Sequence, residues 1–263
     1  MTKFIKMLSV SLVLFANIAF AADNSVYIDQ SGSDSTIDIT QTGSGNVVRG
    51  LQSGSGSDNT VRAKMYGSDS LVDIRQIGSD NTLNLGFDVT KATGQTYGID
   101  LTYYVTGNSG SATINVNGAG TATAASNMID IRQIGNTATT NLTMTGSKNS
   151  LTATTAGGAG NSLTATINAD ETTNNIAVSG GGGNSVNLNL TSNKADNSIT
   201  MVGASNSVSL TQSGVAGTNG HAFTYNVTGS SNSMTAVQSG TIDTTVNVLS
   251  VGSGNTWNIT TGN

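Results

Sequence analysis

Apolar and polar residues alternate with a period of two along most of the chain. Ile37 and Ile39 sit between Thr36, Asp38 and Thr40, for example. Residues two apart on a strand share a face, so each run predicts a strand with one apolar side. Short polar stretches such as "SGSD", "TGSG" and "IGSD" separate the runs. They read as turns, where Gly accepts positive φ and Asp or Asn bonds nearby backbone.

The runs are copies of one tetrad: Asn, Ser or Asp, then two apolar residues, then often Gln, each two residues on. Asn24-Val26-Ile28-Gln30, Ser35-Ile37-Ile39-Gln41 and Asn46-Val48-Gly50-Gln52 open the series. Asn59-Val61-Ala63-Met65, Ser70-Val72-Ile74-Gln76 and Asn81-Leu83-Leu85-Phe87 follow. Asn127-Ile129-Ile131-Gln133, Asn206-Val208-Leu210-Gln212 and Asn232-Met234-Ala236-Gln238 belong to the same set. Weaker copies begin at Asn149, Asn161, Asn174, Asn184, Asn197 and Asn255.

Gln30, Gln41 and Gln52 are 11 residues apart, so a strand and its turn take about that length. Two facing strands make a unit of about 22 residues that still has an open top and bottom. Stacking the units closes both, which predicts an all-β solenoid with rungs roughly 4.8 Å apart. Stacking also accounts for the regular amides. A buried amide is costly unless bonded, and like amides one rung apart can bond as ladders. The predicted ladder and self-assembly residues are the Asn, Ser and Gln ends of the tetrads. Their apolar members, Val26 and Ile28 through Val208 and Leu210, are the predicted core.

Composition narrows the class. The chain of 263 residues has no Pro, no Cys, 33 Gly and only 5% aromatics. Low charge with many β-branched residues suits stacked strands. The lack of Cys excludes a disulfide framework and Cys-based metal sites. Residues 1–21 read as a secretory leader: Lys3 and Lys6, an apolar stretch from Met7 to Ala16, and a small-x-small cleavage site at Ala19-Phe20-Ala21. Residues 22–263 are then the exported part, with no second apolar run to anchor it. Without Lys3 and Lys6, 8 basic and 15 acidic residues leave a net charge of −7. An acidic chain without basic clusters does not point to nucleic acid.

The spacing Ser-x5-Gln-x4-Asn-x5-Gln resembles the repeat of curlins, the subunits of bacterial curli amyloid fibres. Ser35, Gln41, Asn46 and Gln52 carry it at every place, and Ser70, Gln76 and Asn81 carry three places, with Phe87 at the fourth. Asn24 with Gln30, Asn206 with Gln212 and Asn232 with Gln238 carry half-units. Residues 22–87 hold the clearest copies and 126–263 degenerate ones, while 88–125 break the rhythm as wider rungs or an insertion. The resemblance implies a fibre outside a Gram-negative cell, polymerised from copies of this chain for biofilm matrix or adhesion. It also implies two partners, a nucleating subunit and an outer-membrane secretion pore.

Other chemistry is thin. Asp34, Asp58, Asp69 and Asp80 recur at turns and resemble calcium ligands only faintly; turn formation explains them better. The single histidine, His221, shares parity with Phe223, Tyr225 and Val227 and reads as a packed residue. Asp170 and Glu171 are adjacent and would face opposite ways in a strand. No acid, base and nucleophile converge, so the sequence gives no enzyme and no cofactor. Arg49, Arg62, Arg75 and Arg132 read as outer-face residues, and Trp257 as a cap on the last rung. An alternative reading is a monomeric solenoid adhesin or an ice or glycan binder, using Thr152, Thr154, Thr164 and Thr166 as a flat array.

Overall fold

The computed structural model describes residues 12–13 and 25–262, apart from 33, 44, 54–58, 67–69, 79, 90–98, 119–125, 158–159, 181, 204, 214–220, 230, 240–242 and 253. Most of the predicted leader, Asn24, Asp58 and Asp69 therefore lie outside the described residues. The rest is an all-β solenoid of parallel strands.

The coils are read from the pairing. Strand Ser25–Ser31 stacks on Val47–Ser53, which stacks on Ser70–Ile77. The other side stacks Thr36–Thr42, Thr60–Tyr66 and Asn81–Val89. Each coil is thus a strand of the first sheet, a corner, and a strand of the second. Strand segments of the first sheet start at residues 25, 47, 70, 99, 127, 149, 172, 196, 222 and 245, which makes ten coils. In coils 4 to 8 the strands Ile99–Gly118, Ser126–Gly157, Ser162–Gly180 and Ser185–Val202 run through corners without losing strand geometry. The facing layers therefore connect as one pairing network.

The repeat length varies where the sequence rhythm predicts one unit of 22. Partners are 22 or 24 residues apart in the first coils, 29 and 28 around coil 4, and 23 through coils 6 and 7. Within 88–125, strand Ile99–Gly118 pairs into both sheets as one coil. Ile99, Leu101, Tyr103 and Val105 fill the four inward places of one sheet, and Ala112, Ile114 and Val116 fill places on the other.

The core is one continuous cluster between the sheets, from Ile37 to Ala236. Ile37, Ile39, Val48, Val61, Val72, Ile74, Leu83, Leu85, Ile129, Ile131, Val208 and Leu210 are all buried in it. Val26 and Ile28 are half-buried, because among the described residues their strand, Ser25–Ser31, pairs only with Val47–Ser53. Gly50 stands at an inward place between Ile28 and Ile74 and leaves a void there.

Candidate functional site

Two features of the stack bear on function: the polar places that line the corners, and the open ends. The amides sit where the alternation places them, at both margins of the inward face. Ser35, Gln41, Asn46, Asn59, Ser70, Gln76, Asn81, Asn127, Gln133, Asn206, Gln212, Asn232 and Gln238 are buried. Gln30 is half-buried on the first coil.

Asparagines stack into hydrogen-bonded columns. Asn184 Nδ2 donates to Asn206 Oδ1 at 3.1 Å, Asn206 to Asn232 at 3.2 Å, and Asn232 to Asn255 at 2.9 Å. Asn127 donates to Asn149 at 2.7 Å. The same side chains tie down the turn before them: Asn46, Asn81, Asn206 and Asn232 each donate to the carbonyl of the glycine three residues back. An amide that spans a rung and closes a corner satisfies two buried carbonyl groups at once.

Glutamines connect differently. Gln76 Oε1 accepts from Tyr103 Oη on the next strand of the same sheet at 2.8 Å, whereas Gln212 Oε1 accepts from Asn197 Nδ2 across the core at 3.0 Å. Gln238 Nε2 donates to the carbonyl of His221 at 2.6 Å. Gln133 stands between Val105 and Thr155, so no like amide lies above or below it, and neither amide atom has a hydrogen-bond partner.

Two copies start one place earlier than the tetrad assigns. Asn174 pairs with Leu151 and Asn197 with Phe223, so both occupy the second inward place, and Thr172 and Ala195 hold the first. Parity alone cannot separate these frames, because both places face inward. Their amides bond each other at 2.7 Å.

A column of glycine is the feature that the tetrad leaves out. In the first sheet a glycine follows the fourth inward place by two residues: Gly78, Gly107, Gly135, Gly157, Gly180, Gly203, Gly229 and Gly252. From Gly107 onward, a Cβ on any of them would fall on the carbonyl oxygen of the glycine one coil earlier. Gly203, Gly229 and Gly252 also have φ of +137°, +139° and +138°. The corner then passes through a left-handed residue, such as Asp34, Asp80, Ser205 or Ser231, before the next strand. The signal is visible in the sequence as a fifth same-face position.

Outer faces carry the charge. Arg62 pairs with Asp38 at 3.5 Å, and Glu171 with Lys148 and Lys194 at 3.4 and 3.5 Å. Arg75 and Arg132 flank the Tyr104 ring at 5.0 and 5.8 Å. Arg49 is exposed on the same side. The four threonines of the alternative reading do not form one array. Thr152 and Thr154 face out from the first sheet and Thr164 and Thr166 from the second, because the two pairs lie on different strands, Ser126–Gly157 and Ser162–Gly180. His221 is buried, as its parity predicts.

The ends are open. Trp257 and Ile259 point inward on the last coil yet stay 37% and 42% exposed, while Met234 and Ala236 beneath them are fully buried. Trp257 packs edge-on against Tyr225, with centroids 5.5 Å apart. At the other end, Leu12–Val13 pairs with Ile37 and Asp38 on the rim of the second sheet.

No curated protein and no solved structure matches the chain. The family model of the Curlin associated repeat matches residues 20–43 and 32–63, the first two coils. Ser35, Gln41, Asn46 and Gln52 fall within these matches, so residues 20–63 are similar to curlin repeats.

Proposed function

We propose that this chain is an exported subunit that polymerises into extracellular amyloid fibres of a Gram-negative bacterium. The leader of residues 1–21 is removed, and coils of successive copies stack into a fibre that serves biofilm matrix, adhesion or surface coating. A nucleating subunit and an outer-membrane pore are the partners expected of such a system. One observation carries the reading: among the described residues, strand Ser25–Ser31 and the two strands of the last coil each have one unpaired rim, with apolar residues only partly covered. Such rims template the addition of another strand.

The family is one of structural fibre subunits, which agrees with a core devoted to packing. Purified protein from residue 22 onward is expected to bind Congo red or thioflavin and to diffract with a meridional reflection near 4.7 Å. A chain that stays monomeric at high concentration, without those signals, removes the proposal.

A further inference from the structure

If copies stack, the glycine column dictates how. The internal glycines from Gly107 to Gly252 each meet the carbonyl of the previous coil where a Cβ would stand. Gly32 occupies the same corner on the first coil, with φ +134°, and a Cβ there would meet only Ser35 Oγ, at 3.9 Å. Among the described residues, the space above Gly32 is therefore an empty socket for a carbonyl oxygen. At the opposite end, Gly252 lies on the last described coil.

A second, independent observation selects the same register. Gln30 Oε1 and Ser250 Oγ are buried side-chain atoms without a hydrogen-bond partner. Gln30 is the fourth inward residue of the first coil's first strand, and Ser250 the fourth of the last coil's, where it pairs with Val227. Placing Gly252 of one copy over Gly32 of the next sets Ser250 over Gln30, so that the hydroxyl can donate to the amide oxygen. It also sets Val246 on Val26 and Val248 on Ile28, so that half-covered residues meet each other, and covers the exposed Ile259 with Ile39.

The geometry points to a head-to-tail docking site for a second copy, in which Gly32 receives the Gly252 carbonyl and Ser250 bonds Gln30. It fixes Thr245 opposite Ser25 and Thr256 opposite Thr36. This register rests on the fibre reading above and gives it polarity. The incoming Trp257 and Asn258 would take the places on Ile37 and Asp38 that Leu12–Val13 holds, so docking requires a chain without its leader.

The absence of cysteine allows a direct test in the processed chain, residues 22–263. Outer residues on neighbouring parallel strands lie roughly 4.8 Å apart, within disulfide reach. Fibres of the double variant Tyr27→Cys, Asn247→Cys are expected to oxidise into covalent multimers. Tyr27→Cys with Leu249→Cys, displaced by two places, is expected to stay monomeric on a non-reducing gel. Cross-linking of the displaced pair, or of both pairs equally, overturns the register.

Gly32→Ala adds a test of polarity. A small fraction of this variant, mixed with wild-type chain, should dock through its last coil and stop growth at one fibre end only. Unchanged growth at both ends, or arrest at both, overturns the socket. The disulfide test does not depend on the strain that Ala carries at this φ. Absence of any wild-type fibre would sink the fibre reading itself, whereas fibres with the wrong cross-link sink only the register.

Discussion

Coils 1 to 3 and coils 6 and 7 solve the same packing problem with different residues. The first three carry Gln30, Gln41, Gln52 and Gln76 at fourth inward places; the later two carry Thr155, Ile167, Val178 and Leu190 there. Yet coils 6 and 7 pair at 23 residues on both sheets, whereas coils 1 and 2 pair at 22 on one sheet and 24 on the other. The glutamines are thus not what closes the coil. What the two regions share is inward alternation and a small residue at the corner, Gly78 in one and Gly157 and Gly180 in the other.

The largest expected effect therefore lies outside the repeat signature. Gly157→Ala puts a Cβ onto the carbonyl oxygen of Gly135, and backbone cannot move aside as a flexible side chain would. The variant is expected to lose roughly 3 kcal/mol or more, as overpacking against a fixed main chain does at its upper end. A lowered melting temperature and urea midpoint would register it. Wild-type values would mean that the column is a passenger and that the comparison rests on alternation alone.

Within the signature, the glutamines should divide. Gln76→Leu removes the acceptor of the buried Tyr103 hydroxyl and two longer bonds to the carbonyls of Asn59 and Thr82. A cost of roughly 1–3 kcal/mol follows from leaving such groups unpaired. Gln133→Leu breaks no hydrogen bond and exchanges a buried unpartnered amide for an apolar group, so it should be neutral or stabilising. Urea unfolding of the two single variants measures the difference. Equal losses would show that fourth-place Gln acts by shape, not by bonding.

The all-β stacking was legible because period-two alternation and recurrence near 11 leave few other ways to cover a one-sided strand. The frame within a coil was less so. Asn174 and Asn197 have the parity of the first place but stand at the second, and alternation is blind to a shift of two. The repeat length was also hidden, since nothing in the sequence before Ile99 announces that its partner, Ser70, lies 29 residues back. The glycine column was written in the sequence, two residues past Gln76 and Gln133 alike. It stayed unread because Gly at a turn already had a sufficient explanation. The threonine array failed for a related reason: the motif gives spacing, whereas the corner decides the face.

The smallest effect concerns two inward tyrosines, one from each half of the stack. Burial pushes the Tyr103 phenol far up and the Tyr225 phenol up to about 12. Tyr103 Oη donates to Gln76, whereas Tyr225 Oη is buried without a partner, beneath the Trp257 ring. Tyr225→Phe should thus change stability by less than about 1 kcal/mol at neutral pH. Its mark should appear in alkali. Unfolded tyrosine gives up its proton near its ordinary value of about 10, whereas folded Tyr225 holds it until about 12. Between those values the unfolded chain binds fewer protons, so stability is full below the lower one and falls as pH rises. Tyr225→Phe should make that fall shallower in urea midpoints taken from pH 8 to 12. An unaltered slope would mean that the hydroxyl reaches water through the open last coil, and that the second half of the stack is looser at its rim than the first.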